Sequence, residues 1–206
     1  MKKYLFLFFL FSLLSLRGNA HPLSTPFIDT AELAQSSTVL IQAGKEWSSG
    51  FVIHENGVIV TLYHAIKNGS PIQIRLPSQK WIKANLLYGD LETDIAFLKV
   101  DIEGLDALEF EETFQVGEWV LCAGIPFFSE VTVKKGIISN IKQKNPHDYI
   151  LIDFAFNPGD FGGPLLNLDG KVIGMQFANT TTHDVFGLII PSSILIEVAR
   201  KSALFL

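Results

Sequence analysis

Glu55-Asn56-Gly57 stands between two apolar runs, Gly50-Phe51-Val52-Ile53 and Val58-Ile59-Val60-Thr61, and this arrangement limits the first half of the chain to a β architecture. Asn and Gly both tolerate positive φ, which the tight turn of a two-stranded hairpin demands. The same habit of short apolar runs broken by turns extends in both directions. Val39-Leu40-Ile41 begins a strand before the hairpin. Ile72-Gln73-Ile74-Arg75-Leu76 alternates with period two after it, as does part of Trp81-Ile82-Lys83-Ala84-Asn85-Leu86, and Ile95 to Val100 closes this half. A loop of mixed charge is expected around Asp101 to Gln115. Beyond it, candidate strands run over Trp119–Ile125, Val131–Ser139, Tyr149–Phe154, Lys171–Ala178 and Val185–Ile190. About a dozen short strands in two sets predict an all-β fold of two antiparallel barrels packed together. The expected boundaries are about 38–105 for the first barrel and 112–190 for the second. Two helices stand apart. One spans Phe27 to Gln35, and one spans Ser192 to Ser202 with Ile194, Leu195, Val198 and Ala199 on a single face.

The first twenty residues do not belong to that pattern. Met1-Lys2-Lys3 is basic, Tyr4 to Leu16 is an apolar run, and Arg17-Gly18-Asn19-Ala20 ends in small residues. This is the layout of a secretory signal peptide cleaved after Ala20. The run is shorter than the roughly 20 residues a bilayer span requires, so no stable membrane span is expected after cleavage. Loss of Lys2, Lys3 and Arg17 moves the formal net charge from −5 to −8. An acidic chain without basic runs or a Gly-rich phosphate loop excludes nucleic acid as the expected partner. Cys122 is the single cysteine, so an exported chain of this kind has no internal disulfide and depends on its apolar core. His54, His147 and His183 show no metal-ligand spacing. Neither a metal nor another cofactor is expected.

Three segments carry candidate chemistry. Thr61-Leu62-Tyr63-His64-Ala65 places a histidine directly after a strand, and Thr93-Asp94-Ile95-Ala96 places an aspartate directly before one. Each alone reads as an ordinary turn. Asn157-Pro158-Gly159-Asp160-Phe161-Gly162-Gly163-Pro164 is different, with three glycines and two prolines in eight residues. Glycine admits the φ values and the close backbone approach that an anion-binding loop needs.

With these segments together, the chain resembles the HtrA/Deg branch of the chymotrypsin-like serine peptidases over about Phe27 to Ala199. Gly50 to Thr61 followed by His64 resembles the segment leading to that family's catalytic histidine, and Thr93-Asp94-Ile95-Ala96 the segment carrying its aspartate. Gly117 to Val120, Gly124-Ile125-Pro126 and Gly136 to Ser139 are similar to the start of its second barrel. Asn157 to Pro164, continuing through Leu168-Asp169-Gly170-Lys171, is similar to its nucleophile loop and next strand. The resemblance implies two packed six-stranded antiparallel β-barrels of the chymotrypsin/trypsin-like kind. It also implies His64 and Asp94 as base and orienter, and the N–H groups of Gly159 and Phe161 as the oxyanion hole. Ala155 would lie at the base of the specificity pocket, and Gln176-Phe177-Ala178 would form a strand beside which a peptide lies. The family's usual PDZ domain is not expected, since four residues follow Ser202.

The departure is at the nucleophile. The family has serine between the positions of Asp160 and Gly162, and this chain has Phe161. A phenyl ring has no atom to deprotonate, and loss of the nucleophile from such a triad costs on the order of 10⁶ in turnover. The ring is expected to project toward His64. The leading expectation is an exported pseudoprotease that binds extended peptides, unfolded protein segments, or active relatives. The alternative is an active serine endopeptidase acting on unfolded or misfolded proteins, with Phe161 peculiar to this variant. A homo-oligomer, such as the trimers of the family, is also implied, with Phe27 as a candidate contact.

Overall fold

The structure is a computed structural model that describes residues 25–78, 80–143, 147–179 and 186–202. The expected signal peptide at 1–20 and the beginning of the strand expected from Val185 lie outside these residues. Helix α1 (Thr25–Ser37) is followed by β1 (Thr38–Ala43), β2 (Glu46–His54), β3 (Val58–Leu62), β4 (Ile72–Arg75), β5 (Trp81–Asp90) and β6 (Ile95–Val100). These six close into a barrel in the order β1-β2-β3-β6-β5-β4. The second set is β7 (Trp119–Gly124), β8 (Thr132–Lys142), β9 (Tyr149–Ile152), β10 (Pro164–Leu166), β11 (Val172–Asn179) and β12 (Gly187–Pro191). It closes as β10-β11-β12-β9-β8-β7. Helix α2 (Ser192–Lys201) ends the described chain. Every strand pair is antiparallel, so the chymotrypsin-like double barrel expected from the sequence is the fold.

Period-two patterning explains how the strands bury both faces. In β3, Ile59 points into the first barrel while Val58, Val60 and Leu62 face the layer between the barrels. All five β3 residues are therefore buried. The second barrel is filled by Val120, Cys122, Ile138, Ile150, Ile152, Leu165, Ile173 and Ile189. The layer between the barrels takes Phe51 and Phe97 from the first, Leu166, Met175 and Ile190 from the second, and Ile194, Leu195, Val198 and Ala199 from α2. The apolar face foreseen for α2 is thus the face that seals this layer.

Three parts of the chain differ from expectation. The stretch after β6 is irregular, as foreseen, but it is not simply a surface loop. Leu108 is buried, its N–H donates to the Val52 carbonyl, and Phe110 bridges to Val172. Strand β10 was hidden by the prolines and glycines before it. Helix α1 is longer than Phe27 to Gln35 and stops where the Thr38 hydroxyl donates to the Ala34 carbonyl at 2.7 Å, meeting one of the carbonyls a helix end leaves open. Among the described residues no helix is long and apolar enough to cross a membrane.

Candidate active site

The pairing of β3 with β6 puts Leu62 opposite Ile95. That register carries His64, two residues beyond Leu62, to the same end as Asp94, one residue before Ile95. The Tyr63 N–H donates to the Asp94 carbonyl at 2.9 Å and fixes the crossing. Asp94 itself sits at φ 60, a left-handed conformation that non-glycine residues adopt at a cost and mostly at special sites. Its carboxylate takes two bonds from one residue: the His64 N–H at 2.7 Å, and the His64 Nδ1 at 2.5 Å. The hydrogen bond that Asp94 accepts from the ring holds the His64 pKa above its ordinary value of 6.5, against the opposing effect of partial burial. With Nδ1 turned to the carboxylate, Nε2 is the nitrogen left for proton transfer. The His64 side chain is 55% exposed.

The loop Asn157–Pro164 is held from four sides. The Phe127 N–H donates to the Pro158 carbonyl at 2.8 Å, the Ser49 N–H donates to the Phe161 carbonyl at 2.8 Å, and the Gly162 N–H donates to the Gln176 carbonyl at 2.7 Å. The Ser49 hydroxyl donates to the Gly159 carbonyl at 2.7 Å and accepts the Ile125 N–H at 2.9 Å. Two glycines are required by geometry. Gly159 has φ +99 and a Cβ there would lie 2.4 Å from the Ile125 carbonyl oxygen; Gly162 has φ +88 and a Cβ there would lie 2.2 Å from that of Ser49. Because the peptide is planar and trans, pinning the Pro158 carbonyl turns the Gly159 N–H the other way. Among the described residues neither the Gly159 nor the Phe161 N–H donates to a protein acceptor. They are free to receive an anion.

Asp160, between those two residues, points inward and is 2% exposed. Its Oδ2 accepts from Lys134 Nζ at 2.6 Å and from the Asn157 N–H at 2.8 Å. Neither Ser49 nor Lys134 stood out in the sequence as a site residue. Ser49 is revealed only by the way one barrel meets the other, and Lys134 only by the register of β8 within the second barrel.

Phe161 is half-buried, and its ring meets Phe156 edge-to-face at 6.0 Å and 84°. Ala155 is half-buried beside Phe156. Gln176 is 1% exposed, its N–H donates to the Gly163 carbonyl, and its side-chain amide donates to the Ala123 carbonyl at 2.6 Å. Its backbone is therefore committed inside the molecule. Beyond the reach of β10, Ala178 pairs with Leu188 of β12 and Phe177 is the bulged residue between Gln176 and Ala178; among the described residues neither pairs with a strand on the other side. The Phe177 ring stacks on Tyr149 at 5.3 Å.

The sequence and the fold have counterparts among known proteins. The trypsin-like peptidase domain family matches residues 48–175. A probable periplasmic serine endoprotease DegP-like of Halomonas elongata is 39% identical over 162 residues, covering 74% of this chain and 34% of its own length. A protein of the same description from Pseudomonas savastanoi pv. phaseolicola is 37% identical over the same span. The chain thus spans about a third of the length of these curated relatives. Among solved structures, the HtrA-type protease AlgW with tripeptide superposes with a TM-score of 0.80 at 27% identity, covering 84% of this chain and 62% of that one. The serine endoprotease from Yersinia pestis gives a TM-score of 0.77 at 26% identity, covering 85% and 66%. The chain belongs to the trypsin-like peptidase family, in its HtrA/DegP-like branch.

Proposed function

We propose that this protein is an exported, catalytically silent member of the family that binds extended peptide or unfolded protein segments. The observation that carries the reading is Phe161, whose own N–H and that of Gly159 are both unengaged and whose loop, 157–164, holds no alternative hydroxyl. His64 and Asp94 form an oriented pair, and Gly159 and Phe161 supply the donors of an oxyanion hole, but there is no nucleophile for the base to activate. Ala155 lies at the base of the side-chain pocket. Among the described residues Phe177 and Ala178 meet no strand on the side away from β12, and an edge of that kind is what β-strand addition uses; that mode needs backbone donors and acceptors and no reactive atom. Gln176 supports this edge from inside. Export to the periplasm fits the names of the curated relatives, and the segment 1–20 is its signal peptide. Oligomerisation, as a trimer or with active relatives, belongs to the same reading.

The second reading, an active serine endopeptidase, is favoured by the intact His64–Asp94 pair and by the curated relatives named endoproteases. The protein as given and Phe161→Ser decide between them on an unfolded protein substrate and a serine-directed phosphonate. We expect neither cleavage nor labelling with Phe161, and both with the serine variant. Cleavage by the protein as given would overturn the silent reading.

A further inference from the structure

Three phenylalanine rings run in series beside the candidate oxyanion loop. Phe154 and Phe156 meet edge-to-face at 6.0 Å and 88°, and Phe156 and Phe161 at 6.0 Å and 84°. The backbone around them is cleared by glycines. A Cβ on Gly187 would lie 2.6 Å from the Phe156 ring, and one on Gly136 would lie 2.7 Å from that of Phe154. Phe156 is 5% exposed. Phe161 packs against the core of the second barrel and against the layer between the barrels. Its own backbone has little freedom, because its carbonyl is bonded to Ser49 and the next N–H to Gln176. A serine at the same point would carry no atom past its Oγ. The face of Phe156 would then be the wall of an open recess with Ala155 beside it.

We propose that Phe161 closes this recess from within the chain, so that a segment bound over the loop presents only glycine or alanine there. Phe161 then has two effects: it removes the nucleophile and it occupies the place of the ligand's side chain. This inference rests on the peptide-binding reading above and narrows the ligand class. A large apolar side chain gains nothing at a recess already filled, since it must first displace a ring of equal size. A small one lies over the ring and leaves the backbone contacts undisturbed. Aromatic pairs favour the edge-to-face arrangement seen here, which favours the closed state without any ligand.

The test uses short extended peptides that differ only by Gly, Ala, Leu or Phe at one position in turn. They are titrated against the protein as given and against Phe161→Ala. We expect one position at which the protein as given favours Gly and Ala. At that position Phe161→Ala should gain about tenfold or more for Leu relative to Gly, the range expected for extra methylenes in an apolar pocket. Equal binding of Leu and Ala at every position by the protein as given, or unchanged selectivity in the variant, overturns the proposal. If no peptide binds either protein, the peptide-binding reading fails, and toluene then reads the recess directly. Saturable amide shifts at Gly187 in Phe161→Ala but not in the protein as given support the closure. Shifts in both, or in neither, overturn it. Phe161→Leu keeps an apolar side chain at the site and serves where the alanine variant does not fold, with an intermediate response expected.

Discussion

At the scale of single residues, the His64–Asp94 pair makes a charge state measurable. The hydrogen bond that Asp94 accepts from the ring raises the His64 pKa above 6.5. A raised histidine pKa stabilises the fold fully below the unfolded value, and that contribution is lost as pH rises through the folded one. We therefore expect the His64 ring to titrate by NMR above 6.5, and Asp94→Asn to bring it back down. A titration unchanged by Asp94→Asn would refute the coupling. The stability effect should be small because the imidazole is half exposed and screened by water. Ser49 gives a larger signal. It is fully buried, and its hydroxyl joins the first barrel to Gly159 and Ile125. Ser49→Ala leaves the Ile125 N–H without an acceptor, and we expect a loss of about 1–3 kcal/mol in denaturant titration. The two cases differ in how far the sequence reveals them. His64 and Asp94 were legible because each abuts a strand end and the family order is kept. Ser49 is one of two serines inside a strand, and nothing local marks which serine reaches across to a loop 110 residues away.

Elements show the same contrast. A strand with clean alternation, such as β4, and a continuous apolar run, such as β6, were visible, as was the Asn56-Gly57 hairpin, where Gly57 takes φ 91. Strand β10 was not, because its three residues follow Gly162-Gly163 and begin at a proline, a composition that reads as turn. The Lys134–Asp160 pair also depends on element geometry. Lys134 lies on β8 opposite Cys122 of β7, and from there it reaches the inward carboxylate of the loop. The carboxylate is 2% exposed and the lysine 24%, so water compensates little if one partner is lost. Lys134→Met leaves a buried charge behind, and we expect it to destabilise by about 3–5 kcal/mol. Lys134→Met with Asp160→Asn should recover a large part, because the uncompensated charge is gone. Equal destabilisation by the single and double variants in urea titration would argue that the ion pair does not hold the loop.

The whole molecule is tied together by the apolar layer between the barrels rather than by covalent links. Residues of both barrels and four of α2 share that layer, and Ser49 adds polar bonds across the same boundary. Neither barrel keeps its outer wall buried if the other opens, so we expect a single unfolding transition. The chain carries its own reporters. Trp47 and Trp81 belong to the first barrel, in edge contact at 6.0 Å, and Trp119 opens the first strand of the second. Variants that keep only one set should give the same denaturant midpoint by fluorescence and by circular dichroism. Cys122 is a third reporter, inside the second barrel with its thiol pushed well above the ordinary range by burial. A thiol reagent should therefore react only as fast as the molecule opens, with the same denaturant dependence as the fluorescence. Reaction of Cys122 at denaturant concentrations where the Trp47–Trp81 signal is still native would show that the second barrel opens alone. The shared layer would then not couple the two halves, and the candidate site, built from both, would come apart before either barrel unfolds.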